Sequence, residues 1–439
     1  MLDDLKKEVA TDPTQFGSTK NCSAEHYLIE TWDYILTNLE KESTACNLIS
    51  IDFSKASNSL DHNRCLEMFA LKGASFQSLG MLRSFLESRK MRVKIDKTFS
   101  NPLPINGGSP QGTLLGNLIF IVATSNLDKN IPYNNETSTL DTTDEDDDLD
   151  ASFVGHVRLR SLNPTHIDES PPLVVKYVDD ILGAESVFIP AGKSHFTVNK
   201  STCTVYAKRS EELIDSITNN ALELGLRVNA NKTQMVCIGG SNHMELHSFI
   251  RNKESGARTC SDSEMKILGF YFNGTPTVDR HLEQMMKKFR QRLWLLRHLS
   301  KAVKCKKELV ECHVCFRRPI TEYCSNVFNP MLTKTQTEAI EKLQFTALKI
   351  IFGYNMKRED LLQLAEVSTL ESRRKNLFLN FCKKVHANPR CRNSWLEERN
   401  FEGPGIRKQK IIVEKYARTE RLFSVSNNCL LYTSDAADE

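Results

Sequence analysis

The sequence predicts an α+β fold, with an antiparallel sheet backed by helices and a helical C-terminal part, and three features carry that expectation. Leu48-Ile49-Ser50-Ile51-Asp52-Phe53 alternates as a strand and then gives way to a helix-like stretch. Apolar runs on either side of Val178-Asp179-Asp180, Leu173-Val174-Val175-Lys176 before and Ile181-Leu182-Gly183 after, read as a hairpin. From Arg280 to Arg318, Leu282, Met286, Phe289, Leu293 and Leu296 recur at helical spacing, in a segment with twelve Lys or Arg against three Glu.

In the hairpin, Val174 to Tyr177 and Ile181 to Gly183 are the expected strands, with Asp179-Asp180 at the tight turn and both carboxylates on one rigid tip. Acids in an apolar, β-branched run are costly to desolvate unless they are paired or bound to a cation, so a metal site is the economical explanation. Asp52 ends the first strand in similar surroundings, and three carboxylates at two strand ends would make a cage. Hard oxygen donors of this kind suit Mg²⁺, which takes one or two carboxylates and completes its shell with water and substrate phosphate oxygens. That pattern is the outline of two-metal phosphoryl transfer.

Between the acid sites lies Asn106-Gly107-Gly108-Ser109-Pro110-Gln111-Gly112-Thr113-Leu114-Leu115-Gly116, a glycine-rich turn running into an apolar helix. Just before it, the alternating segment Lys90 to Ile95 and a turn at Asp96-Lys97 predict a hairpin bearing Arg89, Lys90, Arg92 and Lys94. Leu213, Ile217, Ala221 and Leu224 share one face of a helix spanning about Glu211 to Leu224, which Gly225 closes.

In this order, Asp52-Phe53-Ser54-Lys55-Ala56, Gly108-Ser109-Pro110-Gln111-Gly112 and Tyr177-Val178-Asp179-Asp180 resemble the palm of reverse transcriptases, most closely those of non-LTR (LINE-type) retrotransposons. Leu224 to Thr233 is similar to the fourth palm motif of that family, Lys266 to Phe270 to its primer grip, and Pro319 to Cys324 with Glu341 and Gln344 to its thumb-side segment. Gln15-Phe16-Gly17 through Cys22-Ser23 resembles the end of its fingers motif, so the likeness spans roughly residues 15 to 355.

The resemblance implies a right-hand polymerase fold with an antiparallel palm and a helical thumb. It also implies RNA-directed DNA polymerase activity with an RNA template, a DNA primer and deoxynucleoside triphosphates as partners. Two Mg²⁺ ions, replaceable by Mn²⁺, would sit at Asp52, Phe53, Asp179 and Asp180. Lys232 would protonate departing pyrophosphate; Phe53, Ser57, Gly108, Gln111 and Tyr177 would line the substrate site. Arg89, Arg92, Lys287, Lys288, Arg290 and Arg292 would meet nucleic acid.

Two departures from the family pattern bear on activity. At the position of Ser57 the family carries an aromatic ring that lies against the sugar and excludes a 2′-hydroxyl; serine cannot supply that wall. Only about fourteen residues precede Gln15, so the fingers read as truncated. The alternative is therefore an inactive retroelement fragment that keeps the palm fold and only binds nucleic acid.

The expected domains are a fingers remnant at 1–46, a palm at 47–275 with the hairpin 89–105 and an acidic insertion at about 134–170, and a helical thumb and extension at 276–425. Residues 429–439 read as a non-native tail. Seven of the ten residues from Asp141 to Asp150 are acidic, which predicts a solvated, disordered loop. Cys312-His313-Val314-Cys315 has part of a zinc spacing, but its surroundings read as one continuous helix. The thirteen cysteines show no framework spacing, and no apolar stretch approaches a membrane span. An intracellular protein with no membrane partner is expected, of undetermined oligomeric state; the net charge of +3 by itself says little about nucleic acid.

Overall fold

The computed structural model describes residues 5, 12–41, 44–129, 131, 171–188, 200–239, 250–251, 258–259, 264–388, 397–401 and 409–413. In chain order, α1 (Ala24–Leu39) leads into β1 (Thr44–Ile51), followed by α2 (His62–Leu71), α3 (Phe76–Leu86) and α4 (Leu114–Ala123). The hairpin β2 (Leu173–Tyr177) and β3 (Asp180–Phe188) precedes α5 (Lys200–Glu223), β4 (Gln234–Gly239) and the small hairpin β5 (Glu264–Ile267) and β6 (Phe270–Asn273). The C-terminal part contains α6 (Asp279–Ala302), α7 (Lys306–Phe316), α8 (Lys334–Phe352) and α9 (Leu370–Ala387).

Four of the strands form one sheet in the order β2-β3-β1-β4, antiparallel throughout. The side chains of central strand β1 alternate between two cores: Cys46 and Leu48 face one, Ile49 and Ile51 the other. Each fully buried aliphatic side chain of this kind contributes about 1.5–3 kcal/mol, so a one-residue slip would forfeit both faces together. On the first face the strands pack against α1 through Tyr27, Leu28, Trp32 and Ile35, and against β5 and β6. On the second they pack against α2, α4 and α5, with Leu213 and Ile217 of α5 fully covered.

Helix α6 ties the sheet to the C-terminal helices. Its first turns place Leu282 and Met285 in the core of the first face, whereas Phe289, Leu293 and Leu296 enter a further core with Leu309, Leu343 and Leu348. Phe378 and Phe381 of α9 also join the first-face core. The expected boundary at residues 275 and 276 is thus a change of secondary structure, crossed by a continuous apolar core.

Several expectations need correction. The hairpin turn is Val178-Asp179, because Tyr177 pairs with Asp180 and the second acid is already the first residue of β3. The predicted helix closed by Gly225 begins earlier, at Lys200. The C-terminal part is not wholly helical: Glu397–Phe401 pairs with Gln409–Val413 as a hairpin. The acidic insertion at 134–170, residues 414–425 and the tail at 429–439 lie outside the described residues. Among the described residues, no helix is long and apolar enough to cross a membrane.

Candidate active site

Asp52 follows the last residue of β1, at the centre of the sheet. Beyond it an isolated antiparallel bridge between Phe53 and Val228 extends the ladder: Asn229 N–H donates to Asp52 O at 2.7 Å, and Ser54 N–H to Arg227 O at 2.8 Å. These bonds use Asp52 and Ser54 and leave the Phe53 carbonyl out of the bridge. The Phe53 ring is buried in the second-face core, so only its backbone faces the site. The same loop brings in Lys232, whose Nζ lies 3.1 Å from Asp52 Oδ2.

Strand register supplies the second acid. Ile51 stands opposite Ile181, so the next residue of each strand, Asp52 and Asp180, come side by side. Asp180 keeps an exposed face, yet partial loss of water, then the charges of Asp179 and Asp52, push its carboxyl up to about 6. The three acids therefore share one electrostatic field. Among the described residues no group of three His, Cys, Asp or Glu is gathered for a metal ion, and Asp52 is paired with Lys232.

Even so, the donor set fits a hard divalent cation. It is all oxygen, with carboxylates at Asp52, Asp179 and Asp180, and Mg²⁺ needs only one or two carboxylates beside phosphate and water. The Cys312-His313-Val314-Cys315 run lies on α7, with His313 buried and Cys315 exposed.

The glycine-rich turn docks on residues 57–60, in the segment that follows Asp52. Gly108 N–H donates to Leu60 O at 2.8 Å and Ser109 N–H to Ser57 O at 2.7 Å. Gly108 has φ 82, and a Cβ there would lie 2.8 Å from Asn58 Cα, so glycine is required on both counts. Ser57 is thus fixed through its backbone next to Gly108, while Gln111 stands exposed in the turn before α4, where Thr113 caps the helix by accepting from Gly116 N–H. The half-buried Tyr177 ring packs edge-on to Tyr27, with centroids 6.2 Å apart, so it is held by the core behind the acids.

The basic residues divide. Arg89 belongs to the scaffold: its Nη2 donates to Gly108 O at 2.9 Å, beside His62 Nε2 at 3.0 Å from the same oxygen. Arg92 lies over the Phe99 ring at 4.1 Å, on an exposed hairpin where Lys94–Ile95 pairs with Thr98–Phe99. Lys287, Lys288 and Arg290 are exposed on α6, but Arg292 Nη1 donates to Phe316 O at 2.6 Å. Arg89 and Arg292 thus each make a hydrogen bond within the chain, and Arg292 is exposed like Lys287, Lys288 and Arg290.

Sequence reasoning missed the support under the hairpin. Lys176 is fully buried, with Nζ 2.9 Å from Asp12 Oδ2 and 2.7 Å from Asp128 Oδ1, and it also donates to Ser125 O at 3.3 Å. A lysine inside an apolar strand was the available signal, but its partners come from loops that no motif marks.

A central strand followed by one carboxylate, a hairpin tip with one acid in its turn and another at the start of β3, and a lysine 3.1 Å from the first acid come together at one end of the sheet. The chain is similar to the RNA-directed DNA polymerases of non-LTR mobile elements, as its motifs imply. It is 24% identical over 354 residues to the RNA-directed DNA polymerase from mobile element jockey of Drosophila funebris, which covers 79% of this chain and 33% of that protein. To the probable RNA-directed DNA polymerase from transposon BS of Drosophila melanogaster it is 23% identical over 356 residues, 80% of this chain and 34% of the relative. The chain thus spans about a third of the length of the curated relatives it matches. No family model matches it. Among solved structures, apo telomerase from Candida tropicalis aligns with a TM-score of 0.36 at 14% identity, over 89% of this chain and 53% of that one. Telomerase from Candida albicans in complex with a TWJ fragment of telomeric RNA gives 0.32 at 10% identity, over 88% and 53%.

Proposed function

We propose that this chain is the palm and thumb part of an RNA-directed DNA polymerase of a retrotransposon, which adds deoxynucleotides to a primer 3′-hydroxyl on an RNA template. The observation that carries the reading is the β1–β3 register, which sets Asp52 beside Asp180 at the end of the sheet. Asp52, Asp179, Asp180 and the Phe53 carbonyl are the groups to hold divalent cations, Mg²⁺ or Mn²⁺, which when bound would acidify the attacking hydroxyl and neutralise phosphate charge.

The remaining roles belong to the protein. Lys232, paired with Asp52 in the free chain, is the group that would give its proton to departing pyrophosphate. Gly108 and Gln111 line the approach to the nascent pair, and Ser57 leaves room for a 2′-hydroxyl. The exposed cations Lys287, Lys288 and Arg290 of α6 lie along the phosphate backbone of primer and template, giving affinity independent of sequence. The template selects each nucleotide by base pairing, while the protein supplies positioning and charge neutralisation.

Primer extension on an RNA template with Mg²⁺ tests the reading, with Asp179→Asn as the control. Extension by the unsubstituted chain that falls by at least about 10³-fold in the variant is the expected result. Template binding without extension would favour a retroelement fragment that only binds nucleic acid.

A further inference from the structure

The turn carrying Asp179 is held by a segment far away in sequence. Val178 lies at φ 59, a region that β-branched side chains avoid, so something must keep it there. Its N–H donates to Gln15 Oε1 at 2.9 Å, and the same oxygen accepts Gly17 N–H at 2.8 Å. Gln15 Nε2 in turn reaches Val178 O at 3.4 Å. Gln15 is 1% exposed, which makes these bonds costly to replace with water.

The segment that bears Gln15 is itself fastened to β2. Phe16 N–H donates to Lys176 O at 2.8 Å and Lys176 N–H to Thr14 O at 2.9 Å, so the chain there runs parallel to β2 as a one-bridge extra strand. Gly17 lies so close to the turn that a Cβ would come within 2.5 Å of Val178 N. Thr14 Oγ1 bonds both Asp12 and Asp128, the two partners of Lys176, at 2.7 and 3.0 Å. Backbone, amide and buried ion cluster thus converge on one residue of the turn.

We propose that Gln15 is a positioning residue for the reaction. Its side-chain amide holds Val178 in the left-handed conformation and so fixes the direction of Asp179 and Asp180. The proposal rests on the polymerase reading above for its effect on rate, but not for the clamp itself. Because Gln15 works through the backbone of Val178, glycine at that position, which adopts positive φ without strain, should weaken the dependence on it.

The test is a double-substitution cycle in primer extension with Gln15→Met, which keeps the volume and removes both polar atoms. The expected result is a fall in kcat of about 10²-fold with template–primer affinity unchanged, shrinking to less than about 10-fold in the Val178→Gly background. An equal loss in both backgrounds, or a Gln15→Met rate within about 3-fold of the unsubstituted chain, would overturn the proposal. Amide hydrogen exchange at Val178 provides a readout that needs no activity: faster exchange in Gln15→Met supports the clamp, and unchanged protection overturns it. If the unsubstituted chain extends no primer, the polymerase reading fails while this exchange measurement still decides the clamp. Should Gln15→Met not fold, Gly17→Ala probes the same contact by pushing on Val178, with the same two exchange outcomes.

Discussion

The two halves of the acid site are supported in different ways. Asp52 stands at the end of a central strand, and backbone bonds to residues 227–229 simply continue the ladder past it; its ionic partner Lys232 is 66% exposed. Asp179 stands in the turn of the hairpin and Asp180 at the start of its second strand, where Val178 is in a disfavoured conformation and the support comes from Gln15 and the buried Lys176 cluster. A strand end flanked on both sides inherits its geometry from the sheet. The hairpin is flanked on its outer side by a one-bridge segment at Gln15 instead of a full strand, so side chains supply much of the restraint on its turn.

Charge burial is where that difference should be largest. Removing the Lys176 amine with Lys176→Met strands two carboxylates in the interior and should destabilise the fold by about 3–5 kcal/mol, read by urea unfolding. Adding Asp12→Asn and Asp128→Asn should recover part of the loss; an additive loss would mean that the three groups are not one cluster. Lys232→Ala, by contrast, should leave stability within about 0.5 kcal/mol, since exposed pairs contribute little.

The seam between sheet and C-terminal helices adds an acid-sensitive element that the site lacks. Burial, then Lys288, pushes the His281 imidazole down to about 4, where it stacks on Phe270 with centroids 4.1 Å apart. His313 is likewise lowered to about 4 by burial and by Arg317 and Arg318. A depressed folded-state value means that the unfolded chain takes up the proton first as pH falls. The stabilisation is complete above about pH 6.5 and is lost on the way down to about 4, at roughly 3 kcal/mol for each histidine. Unfolding midpoints between pH 7 and 4 should show this slope, reduced by His281→Phe; an unchanged slope would place the acid lability elsewhere.

Two catalytic predictions are smaller in energy. Lys232→Ala should lower kcat by about 10²-fold without changing template–primer affinity, as expected for a lost general acid. Equal losses in kcat and affinity would make Lys232 a binding residue. Ser57→Phe should raise the preference for dATP over ATP by about 10-fold in single-nucleotide incorporation, and an unchanged preference would show that Ser57 does not face the sugar.

Much of this was legible in the sequence because periodicity and burial are local. The alternation in Leu48-Ile49-Ser50-Ile51 placed β1 and its terminal Asp52, and the apolar spacing of Leu282, Phe289, Leu293 and Leu296 placed α6. The turn was misplaced by one residue because Asp-Asp is the better turn pair by composition, whereas Val178 is forced into the turn by Gln15, a contact across 163 residues. The hydrogen bond of Arg89 was illegible for the same reason: its partner, Gly108 O, is 19 residues away and reached only once the hairpin folds. Pairings between distant loops leave no local pattern, and they are what orient this site.

The proposed chemistry requires that carboxylates from the end of β1 and from the hairpin hold the same cation. Crystals soaked in Mn²⁺ and measured at its absorption edge test this directly. The predicted result is an anomalous peak about 2.0–2.2 Å from oxygens of both Asp52 and an acid of the hairpin, with Lys232 displaced. A peak bound by Asp179 or Asp180 alone, with Asp52 still paired to Lys232, would contradict it.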